Sequence, residues 1–137
     1  MKVFYDTSIL EPASVDQLGN HAAALEVYAR YTTGRHRGCT SAHALAEGNS
    51  VLTSLPVPRR VSTVGAKRLI DESICARLEV VDLDDSDYAM AIERTSTRGL
   101  AGLVIYDALH ALAAEKAGCS HLYTHNVGHF RALCPGA

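Results

Sequence analysis

The chain has 137 residues, of which 47% are hydrophobic and 20% charged, with a formal net charge of −2 at pH 7. That length suits one domain, 1–137, with a continuous core, and the balance of residues excludes a disordered chain and a polybasic nucleic-acid coat. The start, MKVFYD, carries no apolar signal segment, and the longest apolar zone, LAGLVIYDALHALAA at 100–114, falls short of the roughly 20 residues a spanning helix needs, so a cytoplasmic protein with no membrane partner is expected.

The first strand is expected over 2–5 (KVFY) and runs straight into Asp6, Thr7 and Ser8. Asp is a favoured helix N-cap, but here capping reads as the lesser job of Asp6, open equally to Thr7 or Ser8. A helical pattern follows at 21–33, then a strand at 37–40 (RGCT) and helices at 41–55 and 62–77, divided by the turn PVPRR at 56–60. The remaining elements are a strand at 78–83 (LEVVDL), helices at 85–98 and 105–117, and a last strand at 121–124 (HLYT). Gly34 and Gly118 stand where left-handed C-caps belong, and Ser41, Ser62 and Asp84 stand at N-caps, with Asp87 completing a capping box for Asp84. Strands separated by whole helices cannot be hairpins, so the fold class is α/β, a three-layer α/β/α sandwich on a mostly parallel sheet. Cys39, Cys75, Cys119 and Cys134 form no CxxC pair and read as small core residues without disulfides.

Three carboxylates fall where a carboxylate is costly. Asp6 ends a strand, and ligands of parallel α/β sheets gather outside the carboxyl ends of the strands. Glu47 shares a helical face with Ala44, Val51 and Leu55. Asp107 opens a helix that is apolar nearly all round, so it needs a partner: a bare buried carboxylate costs several kcal/mol, against the ~0.3–1 kcal/mol that a helix N-terminus returns. No lysine or arginine lies within a helical turn of any of them, so their convergence calls for a cation, and oxygen ligation suits Mg²⁺ or Mn²⁺. Taken singly, each has a structural reading: a cap for Asp6, an exposed helical acid for Glu47 and a first-turn acid for Asp107. His110 reads as a core histidine with a hydrogen-bond partner. His121, His125 and His129 are four apart, a metal-binding face if they shared a helix, but HLYT reads as strand and Asn126 and Gly128 interrupt a helix. His129 is therefore expected at a helix end or on the surface.

The strand ending in DTS, the mid-helix Glu of HALAEGNSVL, the block YDALHALAAEKAG and the late LYTHNVGHF, in that order from Lys2 to Leu133, resemble the PIN domain. Within that family the chain is most similar to the VapC-type toxins of bacterial toxin–antitoxin pairs. The resemblance implies a sheet of four to five strands, the fifth short or missing because the chain stops soon after LCPGA. It also implies an acidic pocket that binds Mg²⁺ (or Mn²⁺) and an endoribonuclease that cuts single-stranded or structured RNA to leave a 5′-phosphate and a 3′-hydroxyl. Asp6, Glu47 and Asp107 match the family's three principal acids, catalytic and metal-holding, and Ser8 matches a small polar residue beside the metal. Thr124 and Asn126 fall in the late-strand motif, where Asn126 stands in place of an aspartate and removes one negative charge. The implied partners are a cognate antitoxin, the RNA substrate and a second copy in a homodimer. Arg35, Arg37, Arg59 and Arg60, with Lys67 and Arg68 after them, are candidate phosphate contacts. The alternatives are a catalytically weakened PIN-like RNA-binding protein and a phosphoacceptor signalling domain. The second wants paired acids after strand one and a late-strand lysine, whereas Asp6 stands alone and the last lysine, Lys116, falls in a helix.

Overall fold

A computed structural model describes residues 1–133. Val3, Phe4 and Tyr5 are fully buried in β1 (Lys2–Tyr5), and the reason is the strand's place in the sheet. β1 pairs in parallel with β2 (Arg37–Ser41) on one side and β4 (His121–Tyr123) on the other, and β3 (Glu79–Val81) lies outside β2, giving the order β3-β2-β1-β4. A central strand covered on both faces has no solvent side, so it reads as a continuous apolar run. All four strands are parallel, as the long crossovers require.

The two faces of β1 divide the core. Val3 and Tyr5 point into a cluster with Ile9 and Leu10 of α1 (Thr7–Ser14), Ala24 and Tyr28 of α2 (His21–Tyr31), Leu52 of α3 (Ala42–Ser54), and Ala66 and Ile70 of α4 (Thr63–Ile70). Phe4 points the other way, to Cys39, Val81 and the Ala113–Ala114 segment of α6 (Val104–Ala117). Beyond it, α6 packs on Ala91 of α5 (Asp85–Thr97) and Leu133 of α7 (Val127–Leu133). These are the three layers the sequence predicts.

Two helices depart from the expected set. α1 forms although Pro12 lies inside it, because Ile9 and Leu10 bury their side chains and a helix this short depends on few internal hydrogen bonds. α7 forms through Gly128 because Phe130 and Leu133, one turn apart, are buried. The expected 62–77 helix changes hand-hold midway, continuing from Ile70 as a single π-helical turn over Asp71–Cys75. α2 stops at Tyr31, ahead of Gly34. Gly118, at φ 72°, closes α6 in the left-handed conformation, and the Asp84–Asp87 capping box forms as expected. Gly38 is required by space: a Cβ there would stand 2.6 Å from Leu78 Cδ2.

Cys39, Cys75 and Cys119 are free thiols. Cys134 and the expectation of a short or missing fifth strand after Leu133 lie outside the described residues. Among the described residues no helix is long and apolar enough to cross a membrane.

Candidate active site

Asp6 leaves the carboxyl end of β1 in extended conformation and is itself the N-cap of α1, its Oδ1 accepting from the backbone N–H of Ser8 at 3.2 Å. Capping is therefore a full job of Asp6 and not one left to Thr7 or Ser8. Its other oxygen is held by hydroxyls: Oδ2 accepts from Ser8 Oγ at 3.0 Å and from Thr124 Oγ1 at 2.5 Å. Each of those hydroxyls is itself fed by a main-chain donor, His125 N–H to Ser8 Oγ and Asn126 N–H to Thr124 Oγ1, both at 2.8 Å. The two hydroxyls also lie 3.2 Å from one another, and both O–H groups are turned onto Asp6. The carboxylate, 1% exposed, is thus fixed by neutral donors from α1 and the β4–α7 turn.

Thr7 links the first acid to the second. Its Oγ1 lies 3.0 Å from Asp6 Oδ1 and 2.5 Å from Glu47 Oε1. Glu47 comes from the middle of α3, which begins at the Ser41 N-cap at the end of β2. Glu47 Oε2 accepts from His110 Nε2 at 3.2 Å and lies 3.5 Å from His43 Nε2. Burial alone would raise the Glu47 pKa, but the hydrogen bonds from His110 and Thr7 outweigh it and hold the carboxyl below its ordinary value.

Asp107 lies in the first turn of α6, at the head of eight consecutive buried residues, 107 to 114. Its Oδ2 contacts His129 Nδ1 at 2.5 Å. Burial pushes its pKa up, the His129 contact opposes that, and the charge of Asp6 adds to the rise. His129 is exposed in the first turn of α7, as the sequence suggested, and from there it contacts a buried acid. His121, His125 and His129 fall on β4, the following turn and α7, and form no common face.

Asp6, Glu47 and His110 each place one ligand atom within 4.8 Å of the others. Among the described residues no lysine or arginine forms an ion pair with Asp6, Glu47 or Asp107; the basic side chains in contact with Glu47 and Asp107 are imidazoles. Two carboxylates this close, with neutral donors around them, form a donor set that fits a hard divalent cation. Residues that sequence reasoning missed here are Thr7, His43 and Glu11. Burial, then the charges of Glu47 and Asp6, raise the Glu11 pKa to about 8. The spacing of Thr7, Glu11 and Ser14 along one face of α1 would have exposed this had the helix been recognised. Tyr106, beside Asp107, stacks on His43 with ring centroids 4.9 Å apart and planes 6° from parallel.

Of the supporting residues, Ser8 and Thr124 are drawn onto Asp6, while Asn126 is exposed and contributes its main-chain N–H. The arginines fall elsewhere. Arg37 is in register with Lys2 at the amino end of the sheet, so strand rise alone puts it ~13 Å from the level of Asp6, with Arg35 just before it. Arg59 is tied to the α1–α2 connection, its backbone exchanging two hydrogen bonds with the Gln17 amide and its side chain 4.0 Å from Asp16. Arg60 is exposed in the same loop.

The PIN-domain family model matches residues 3–133. Ribonuclease VapC27 of Mycobacterium tuberculosis is 36% identical over 112 residues, which cover 81% of this chain and 75% of the relative. The fold is shared with the crystal structure of Mycobacterium tuberculosis VapC20, a sarcin–ricin loop cleaving toxin, at a TM-score of 0.76 and 18% identity over 95% of this chain and 94% of that one. It is also shared with VapBC2 of Rickettsia felis bound to a DNA fragment from their promoter, at a TM-score of 0.65 and 20% identity over 96% and 92% of the two chains.

Proposed function

The chain belongs to the PIN-domain family, and from that membership we propose that it is a single-domain, metal-dependent endoribonuclease, the toxin of a toxin–antitoxin pair. The observation that carries this reading is the convergence of Asp6, at the end of β1, and Glu47, on α3, two carboxylates oriented by neutral donors and answered by no lysine or arginine among the described residues. Asp6, Asp107 and Glu47 would hold Mg²⁺ or Mn²⁺. When bound, such an ion lowers the pKa of a coordinated water and offsets charge building on the phosphate.

The protein's own side chains do the rest. Thr7, Ser8 and Thr124 hold Asp6 in one orientation, so that no rotamer has to be frozen when substrate arrives. Glu47, kept ionised by His110 and Thr7, is equipped to accept a proton from the attacking water. The RNA phosphate has no arginine beside the acids, since Arg35 and Arg37 sit at the other end of the sheet; Arg59 and Arg60 serve flanking nucleotides at most. The same reading carries a cognate antitoxin and a homodimer as partners and a cytoplasmic setting. The weakened binding protein and the phosphoacceptor domain are less well supported, because the acids are assembled around Asp6 without help from the Asn126 side chain and no lysine joins them.

Purified, folded Asp6→Asn and Asp107→Asn proteins test this directly: both lose Mg²⁺-dependent cleavage of RNA. Undiminished cleavage by either would sink the assignment. In cells, expression of the chain alone should arrest growth, and co-expression of the neighbouring upstream gene should relieve it.

A further inference from the structure

His110 has no exposure at all, at 0%, and of the reacting groups its ring touches Glu47. Both of its ring nitrogens are engaged. Nε2 is 3.2 Å from Glu47 Oε2, and Nδ1 is 2.8 Å from Ser41 Oγ, itself fully buried. Ser41 is also the N-cap of α3, its Oγ accepting from Ala44 N–H at 3.2 Å. We infer that Ser41, His110 and Glu47 form a positioning relay, in which Ser41 fixes the tautomer of His110 and His110 aims Glu47, and that His110 is not a ligand of the metal.

The hydrogen-bond inventory decides between the two roles. An ionised carboxylate only accepts, so the contact to Glu47 requires the hydrogen on Nε2. Nδ1 is then a bare acceptor, and the Ser41 hydroxyl, its acceptor side taken by Ala44 N–H, has its own hydrogen free for Nδ1. Every donor meets one acceptor. As a metal ligand through Nε2, His110 would carry its hydrogen on Nδ1. Ser41 Oγ would then face two donors, Ala44 N–H and Nδ1–H, and its own hydrogen would have no acceptor in a site without exposure. The ligand tautomer is thus disfavoured by the wall behind it. The helix cap and the acid are coupled through one ring: β2 ends on Ser41, Ser41 starts the helix that carries Glu47, and through His110 on α6 it also sets where that carboxylate points.

The inference rests on the nuclease reading for its consequence, but its test does not need cleavage. Long-range ¹H–¹⁵N correlation spectra of the histidine rings, assigned with His110→Gln, should report His110 in the Nε2–H tautomer both without metal and at saturating Mg²⁺. A Nδ1–H tautomer in the free protein, or loss of the Nε2–H signature on adding Mg²⁺, would overturn the relay in favour of a ligand. In Ser41→Ala the ring should populate both tautomers and kcat should fall about tenfold, with Mn²⁺ affinity by titration calorimetry within about twofold. Ser41→Thr, which keeps the hydroxyl, should restore both readouts. If the tautomer result holds while Asp6→Asn still cuts RNA, the assignment of cleavage to this site fails and the relay stands as structure.

Discussion

Asp6 and Asp107 are both buried acids close enough to feel each other's charge, yet the fold satisfies them in opposite ways. Asp6 takes hydrogen bonds from the Ser8 N–H and from the Ser8 and Thr124 hydroxyls, each of which itself accepts from the main chain of the β4–α7 turn, and it shares the Thr7 hydroxyl with Glu47. Asp107 contacts one imidazole, His129, whose side chain is 58% exposed on the last described helix. The first arrangement is a fixed mount; the second is a partner that can turn away into solvent. A cage of hydroxyls fixes an acid through several neutral contacts, while an exposed histidine gives a buried carboxylate a single partner at the surface.

The sharpest way to break this contrast is to remove each charge in turn and read stability beside activity. Asp6→Asn and Asp107→Asn should both lose metal-dependent cleavage entirely, but only the first should weaken the metal-free fold. In Asp6→Asn an amide N–H₂ replaces one acceptor, so the Ser8 or Thr124 hydroxyl, already accepting from the main chain, loses its target at a cost of about 1–3 kcal/mol. Asp107→Asn keeps an oxygen for His129 and discards a buried charge whose pKa is raised, so near pH 7 its stability should equal or exceed the parent's. Thermal melts of metal-free proteins check both. Equal destabilisation by the two substitutions would erase the distinction.

Much of this could be read before the structure. Long crossovers forced a parallel sheet, a greasy central strand placed Asp6 at a carboxyl end, and the apolar run 104–114 forced Asp107 to find a partner. His110 behaves as the hydrogen-bonded core histidine its surroundings implied. What escaped lies in two short helices. α1 and α7 offer about two turns each, too few for a periodic pattern to outweigh Pro12 and Gly128, and tertiary burial of Ile9, Leu10, Phe130 and Leu133 overrode local propensity. Thr7, Glu11 and His129 were hidden with them. The place of the arginines was hidden for another reason: clustering in sequence says nothing about which end of a sheet a loop occupies, and Arg35 and Arg37 precede β2 at the end of the sheet opposite Asp6.

A smaller effect is expected from His129→Ala, which addresses the Asp107 half alone. The pair is partly exposed, so the change in stability should stay below about 1 kcal/mol. The His129 contact works against the burial-driven rise in the Asp107 pKa, so without it Asp107 keeps its proton to higher pH. The acid limb of the pH–activity profile should therefore move upward, while activity well above neutral pH stays near the parent's. An unmoved limb would mean that the imidazole has no hold on the acid during turnover.

Glu11 plays the corresponding part for the other half, since the acids that act on it are Glu47 and Asp6. Its folded pKa, about 8 against an ordinary 4.5, means that the folded state binds a proton the unfolded chain has released. Between those two values stability must fall as pH rises, and above about 8 the loss is complete and constant. Glu11→Gln removes that slope: its melting temperature should match the parent's near pH 4, exceed it by an amount that grows to about pH 8, and hold that margin beyond. Mg²⁺ sharpens the test, because a cation held by Asp6 and Glu47 cancels the repulsion that helps to raise Glu11. The margin should then shrink with Mg²⁺ in the parent protein, whereas in the Asp6→Asn background, where the Asp6 charge is already gone, adding Mg²⁺ should change it little. A margin that ignores Mg²⁺ would place the cation away from the Asp6–Glu47 half and leave Asp107 as its principal anchor.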